Sequence, residues 1–136
     1  MDVTLAVLAD YANLSREGKL NVMGIFSNIN PSKIPFNLPM AYIVTSFEAS
    51  LAEVNTNKTV RLALIDVEGG ELFGVEQELI VPQPPLPGVR PNMTGIMAVN
   101  NLRFEKSGDY QLSVLINGEE KRSVPLRVNE PTTGEA

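Results

Sequence analysis

The sequence has no cysteine, no histidine and no tryptophan. Without cysteine it can hold no disulfide framework, no thiolate zinc site and no cysteine nucleophile. Without histidine it lacks the commonest general base and the commonest metal ligand. Basic residues are few: 11 Lys and Arg stand against 16 Asp and Glu, a net charge of −5 and an isoelectric point near 4.7. No Lys/Arg run offsets this, which argues against nucleic acid as a partner, since phosphate recognition draws on clustered positive charge. Long hydrophobic runs are missing too. Val3 to Ala9 is far too short to cross a bilayer, and Asp2 stands where a signal peptide would carry positive charge. The expectation is no membrane partner, Met1 as a true start and a cytoplasmic location by default. Sequons at Asn13, Asn57 and Asn92 carry no weight without a secretion signal.

What is present is alternation. In the closing stretch, Tyr110, Leu112, Val114 and Ile116 fall on one side of an extended chain, with Gln111, Ser113 and Asn117 on the other. A period of two marks a strand with one buried face. Asn117-Gly118 then supplies the two residues that tolerate positive φ in a type I′ turn. Val124, Leu126 and Val128 return as the inward face of a second strand. Ahead of this hairpin, Ser107-Gly108-Asp109-Tyr110 resembles the corner of immunoglobulin-like sandwiches, in which a tyrosine hydroxyl bonds back to upstream backbone.

The same reading runs along the rest of the chain. Val3, Leu5, Val7 and Ala9 form the expected inward face of a first strand. Leu20 to Ile29 is a second, turned by Ser15 to Lys19. Asn30 to Pro39 holds three prolines and reads as a crossing loop. Ala41, Ile43, Thr45 and Phe47 mark a third strand, followed by a loop from Leu51 to Asn57. Val60, Leu62 and Leu64, then Phe73, Val75 and Leu79, form a hairpin about Gly69-Gly70. Pro82 to Pro91 carries five prolines and reads as an extended connection between sheets. Ile96, Ala98, Leu102 and Phe104 mark the next strand. The expected fold is all-β: a two-sheet antiparallel sandwich, immunoglobulin-like, of about eight strands, with a closed barrel as runner-up. Residues 1–128 form one domain and 129–136 a polar, frayed tail.

Chemistry-bearing groups are sparse. Asp66, Glu68 and Glu71 flank Gly69-Gly70, but their spacing is not that of a calcium loop, and solvated turn carboxylates explain them. Glu76 and Glu78 share a strand face, the one opposite Phe73 and Val75, where exposed charge guards a sheet. Pro84 to Pro87 with Arg90 has the look of a PxxP ligand, although a rigid connection accounts for the same residues. No catalytic, cofactor-binding or metal-binding residue is assigned, and no cofactor is expected. The unusual feature is apolar character on the second face of several strands: Leu8, Met23, Ile25, Tyr42, Val44, Ala63, Ile65 and Val67. One-sided antiparallel sheets place polar residues there, and a large exposed apolar patch marks an interaction surface.

Three blocks carry a resemblance. Leu5-Ala6-Val7-Leu8-Ala9-Asp10-Tyr11-Ala12 fits LAxLADxA. Gly18 to Phe26 fits GKLNxxGIF. Gly108 to Gly118 fits GDYxxxVxxxG. Together they resemble an uncharacterised family of small bacterial stand-alone β-sandwich proteins, a domain of unknown function, over nearly the whole chain. The resemblance implies a bacterial or phage-associated sandwich and brings no catalytic residues with it. The functional expectation is therefore a non-enzymatic interaction or structural module assembling through an apolar sheet face, as a homo-oligomer or with a protein partner. The alternative is a small-ligand or carbohydrate-binding sandwich using the 30–39 and 82–91 loops.

Overall fold

A computed structural model describes residues 1–131. The described residues form nine strands: β1 (Asp2–Leu14), β2 (Leu20–Phe26), β3 (Asn28–Ile29), β4 (Phe36–Glu48), β5 (Asn57–Asp66), β6 (Glu71–Ile80), β7 (Asn92–Phe104), β8 (Gly108–Ile116) and β9 (Glu119–Val128). They divide into a four-stranded sheet, β2-β1-β4-β7, and a five-stranded sheet, β3-β9-β8-β5-β6. The two enclose one core, built from Leu8, Ile43 and Phe104 on one side and Leu64, Leu112 and Leu126 on the other. This is a two-sheet sandwich of the immunoglobulin-like class. Pairing is antiparallel throughout except for the short β3, which runs parallel to β9.

The closing hairpin forms as its alternation requires. Asn117 and Gly118 sit at φ 51° and 82°, the two positive values of a type I′ turn. Asn117 also reaches across to β5: its Oδ1 accepts from the Thr59 N–H at 2.9 Å, and its own N–H donates to the Thr59 carbonyl at 2.8 Å. At the other end of β8 the Tyr110 hydroxyl donates to the Lys106 carbonyl, closing the tyrosine corner. The ring meets Phe104 edge-on, centroids 5.1 Å apart. Desolvation, the largest influence, raises the phenol pKa above its usual value.

Several expectations change. β1 faces the other way: Ala6 and Leu8 enter the core, while Leu5, Val7 and Ala9 face outward. The cause is a register shift against β4 between Val3 and Leu5, which lets Val3 point inward and then inverts the alternation. β7 changes parity as well. Met93, Met97 and Val99 face in, then Leu102 and Phe104; Ile96 and Ala98 face out. Asn101 at φ 54° lies at the point of change. Pro39 stands opposite, between the pairs Leu38↔Leu102 and Met40↔Asn100, so both strands kink together. Phe36 to Pro39, expected as loop, is therefore the start of β4. An edge-facing amide is not required of Pro39 at such a kink.

The expected second strand ends at Phe26, and the chain crosses there to the other sheet as β3. Ser50 to Glu53 forms a single 3₁₀ turn rather than a plain loop. Its signal was a Ser-x-x-Glu capping box, with the Ser50 N–H donating to Glu53 Oε1 at 2.8 Å. The start of the expected tail is anchored, because the Asn129 N–H donates to the Ile29 carbonyl. Residues 132–136 of that tail lie outside the described residues. Among the described residues no helix is long and apolar enough to cross a membrane.

Candidate functional site

The outer face of the four-stranded sheet follows from register. One row crosses all four strands as Ile25, Ala9, Tyr42 and Ala98. The row on one side contains Met23 and Tyr11 as partners, then Met40 beside Asn100. The row on the other side is Val7, Val44 and Ile96. Exposure is graded across these rows. Val44 is fully buried, between its register partners Val7 and Ile96. Tyr11 and Tyr42 stack edge-on, 5.2 Å between centroids, which fixes two rigid apolar plates at the centre. Met23 and Ile25 on the edge strand are 64% and 62% exposed.

The rim of this face is polar, with charge at its ends, where Glu48 stands opposite Asp2 and meets Arg90, and where Arg103 pairs with Glu105. Asn21 Nδ2 donates to Asn13 Oδ1 at 3.0 Å at one corner, and the Ser46 and Thr94 hydroxyls lie 3.4 Å apart at another. Glu48, at the far end of β4, is the nearest charged group in the outward series of that strand. An apolar centre with aromatic and methionine side chains, framed by polar groups, is the composition of protein–protein contact surfaces.

The eight residues singled out from sequence are therefore not one surface. Met23, Ile25, Tyr42 and Val44 belong to this face. Leu8 does not: it is a core residue, placed there by the β1 register shift. Ala63 and Ile65 lie on the outer face of the five-stranded sheet. Ala63 is buried between Gly74 and Ser113. Val67 lies just past the end of β5, in the turn, 73% exposed and on neither sheet face. Tyr11, Met40, Ile96 and Ala98 were missed. The first strand is apolar on both sides from Val3 to Ala9, so alternation gives it no direction. Met40, Ile96 and Ala98 follow the shared kink at Pro39 and Asn101, which no periodicity announces.

The opposite outer face is charged and self-paired. Arg61 binds Glu71 across Gly74, whose missing side chain leaves room for both. Ser113 Oγ donates to Glu120 Oε1 at 2.7 Å and accepts from Gln111 Nε2 at 3.1 Å. Glu76 and Glu78 stand exposed on β6, facing away from the core.

The two loops of the alternative reading lie at opposite ends of the molecule. Residues 30–35 lead into β4 at Phe36, whose partner is Phe104. The 82–91 segment leads into β7 at Asn92, whose partner is Glu48. A thirteen-residue strand separates them, roughly 40 Å at the usual rise, so they cannot build one pocket. The proline segment does carry the chain from one sheet to the other, and it is pinned where Pro91 accepts from the Ala49 N–H at 3.0 Å.

The turn carboxylates are also engaged locally. Asp66 Oδ1 accepts from the N–H groups of Glu68 and Gly70 at 2.9 and 2.8 Å. Among the described residues no three metal-ligating side chains come together. The most perturbed carboxyl is Glu53. It bonds Lys58 Nζ at 2.8 Å, the Ser50 N–H and the α-ammonium of Met1 at 2.9 Å, and these hold it well below the usual glutamate range, Lys58 first. That cluster ties the 3₁₀ turn to β5 and to the start of β1.

The fold and the face together define a small immunoglobulin-like sandwich with one outer sheet face left apolar. Its sequence matches, over residues 4–129, the model of a family of unknown function (DUF6941), and the chain belongs to that family. No curated protein matches it. Among solved structures it is similar to the Pseudomonas fluorescens alkylpurine DNA glycosylase AlkC bound to DNA containing an abasic site analog. That match has 13% identity and a TM-score of 0.51, and covers 94% of this chain and 30% of that one. The chain thus spans under a third of that protein, and the likeness is one of fold. A second match is an immunoglobulin-like protein of Pseudomonas aeruginosa, at 13% identity and a TM-score of 0.38, covering 90% and 91% of the two chains.

Proposed function

We propose that the protein is a non-enzymatic interaction module that docks another protein surface on the outer face of its four-stranded sheet. The observation that carries this reading is the pair of exposed β2 residues, Met23 and Ile25, continuous with Tyr11, Tyr42 and Met40. Leaving such side chains in water costs the protein solubility and contributes nothing to its core, whereas covering them is favourable by about 25 cal/mol per Å² of apolar surface removed from water. Aromatic and methionine groups are also those that dominate contact energies.

The test compares tagged wild type with Ile25→Asp, purified under native conditions from a cell that makes the protein. Wild type emerges as a defined assembly larger than 14.8 kDa, and Ile25→Asp emerges as a folded monomer. A wild type that remains monomeric and bare, or an aspartate variant that assembles equally well, overturns the reading.

A further inference from the structure

The two lateral seams of the sandwich differ. On one side β9 packs against β1, and the Arg122 guanidinium donates to the Val3 carbonyl at 2.9 Å, bridging the sheets. On the other side β6 and β7, the terminal strands of their sheets, make contact, but the seam between them is not closed along its whole length. A cleft of about 410 Å³ fills that opening. Ile43, Phe47, Leu62 and Leu79 form its floor, and Met93 and Met97 of β7 its lip.

β7 itself is unguarded. Proteins protect sheet edges with charge, proline, bulges or brevity. β3 is two residues long, and β6 carries Glu71, Glu76 and Glu78. β7 runs thirteen residues, and from Asn92 to Leu102 it has no charged residue and no proline. Its pairing with β4 shows no register shift. Its inward-facing positions Met93, Gly95 and Met97 are those that border the cleft. Gly95 matters most. A side chain there would meet the Thr45 hydroxyl, 2.9 Å from the position of its Cβ, so the glycine keeps open the space before a buried polar group. A glycine inside a strand is a common mark of close approach by another backbone.

We infer that the β6–β7 seam is a strand-accepting site: an extended segment of a partner protein pairs with the free edge of β7 and drops alternate apolar side chains into the cleft. The main chain of β7 supplies hydrogen bonds, and the cleft selects every second residue of the ligand. The methionine lip adapts to differing side-chain shapes. Thr45 and Gln77 offer polar groups within an otherwise apolar lining. The net charge of −5 favours a segment whose outward residues are basic. This site is separate from the outer face proposed above, and either can fail without the other.

The test uses a fluorescein-labelled peptide of alternating valine and lysine, about ten residues long to match a typical strand pair. One control peptide has its two central valines replaced by proline, and another carries glutamate in place of lysine. Fluorescence polarisation on the full chain should show saturable binding, weakened by about tenfold or more for the proline peptide and for the glutamate peptide. Met97→Lys, which places an ammonium on the lip, should weaken the first peptide by a similar factor, and Ile25→Asp should leave it unchanged. Amide hydrogen exchange should slow along Asn92 to Leu102 and not along β2. Absence of saturable binding overturns the proposal. So does binding that the proline peptide retains, or that is lost in Ile25→Asp, since either means adhesion to an apolar surface without strand pairing. If Met97→Lys fails to fold, the proline control on wild type decides alone.

Discussion

The two outer faces of this sandwich are built from the same backbone pattern and carry opposite chemistry. On the five-stranded sheet, outward positions hold Arg61, Glu76, Gln111 and Ser113, and polar groups there bond to one another: Arg61 to Glu71, Ser113 to Glu120. On the four-stranded sheet, the equivalent positions hold Val7, Tyr11, Ile25, Tyr42 and Ile96, and the ion pairs, Arg90 with Glu48 and Arg103 with Glu105, stand only at its ends among the described residues. A face whose polar groups satisfy one another is finished as a surface in water. A face of rigid aromatic and flexible methionine side chains is finished only when something covers it. The proposed docking function rests on this difference, although the two sheets contribute alike to the core.

The sharpest way to break this comparison is a charge at the centre of the apolar face. Val44 is fully buried by its own neighbours, so Val44→Asp should destabilise the monomer itself, by about 3 kcal/mol or more, for want of any partner for the carboxylate. Chemical denaturation at dilute protein measures it. A neutral result would mean that the shielding by Val7 and Ile96 is loose, and that the face is wet to its centre.

The polar face should respond more mildly. Ser113 is buried and bonded to both Glu120 and Gln111, so Ser113→Ala should cost about 1–2 kcal/mol. A loss as large as that of Val44→Asp would show that this face, too, depends on a dense internal network. The tyrosine corner, on neither face, gives the scale for a single bond. Tyr110→Phe should cost about 1 kcal/mol through the lost bond to Lys106, with the ring still packed on Phe104. A neutral Tyr110→Phe beside a severe Tyr110→Ala would make the residue core filling only.

Acid should affect both faces equally, because the carboxyl most depressed in pKa lies at one end of the sandwich. Glu53 is held below the usual glutamate value of 4.5 by Lys58, the Ser50 N–H and the Met1 ammonium. A depressed folded-state pKa contributes stability that is complete above the unfolded value and is lost as pH falls through that range toward the folded value. Stability measured from pH 6 down to pH 3 should therefore fall, and Glu53→Gln should flatten part of that fall, by on the order of 1 kcal/mol. An identical acid slope in the two proteins would assign the loss to other carboxylates.

Where sequence alternation had one apolar side, it was legible without ambiguity. The Tyr110-to-Ile116 strand follows from it, the turn from Asn117-Gly118, and the tyrosine corner from Ser107-Gly108-Asp109-Tyr110, while its acceptor, the Lys106 carbonyl, needed the structure. Two local departures from two-fold periodicity carried the rest out of reach. The register shift after Val3 turned Leu8 from a surface candidate into core and exposed Tyr11. The shared kink at Pro39 and Asn101 reversed Ile96 and Ala98. Neither has a residue signature strong enough to outweigh strands that are apolar on both sides. The apolar second face was thus visible as an excess, while its assignment to one sheet needed the register. The separation of the 30–39 and 82–91 loops likewise depends on strand order, which composition does not encode.

The account turns on a matched pair of substitutions, Ile25→Asp on the apolar face and Gln111→Asp on the polar one, followed by sedimentation velocity and thermal melting in the presence of the native partner or at high concentration of the chain alone. Both sites lie in outward positions, so Ile25→Asp should not shift the melting temperature of the monomer appreciably, and Gln111→Asp should lower it only through the lost bond to Ser113. Ile25→Asp should abolish association, because a carboxylate is costly in a desolvated contact and harmless in water. Gln111→Asp should leave association as in wild type. Equal association in the two variants, or loss of fold in Ile25→Asp, would contradict the assignment of this face to a partner.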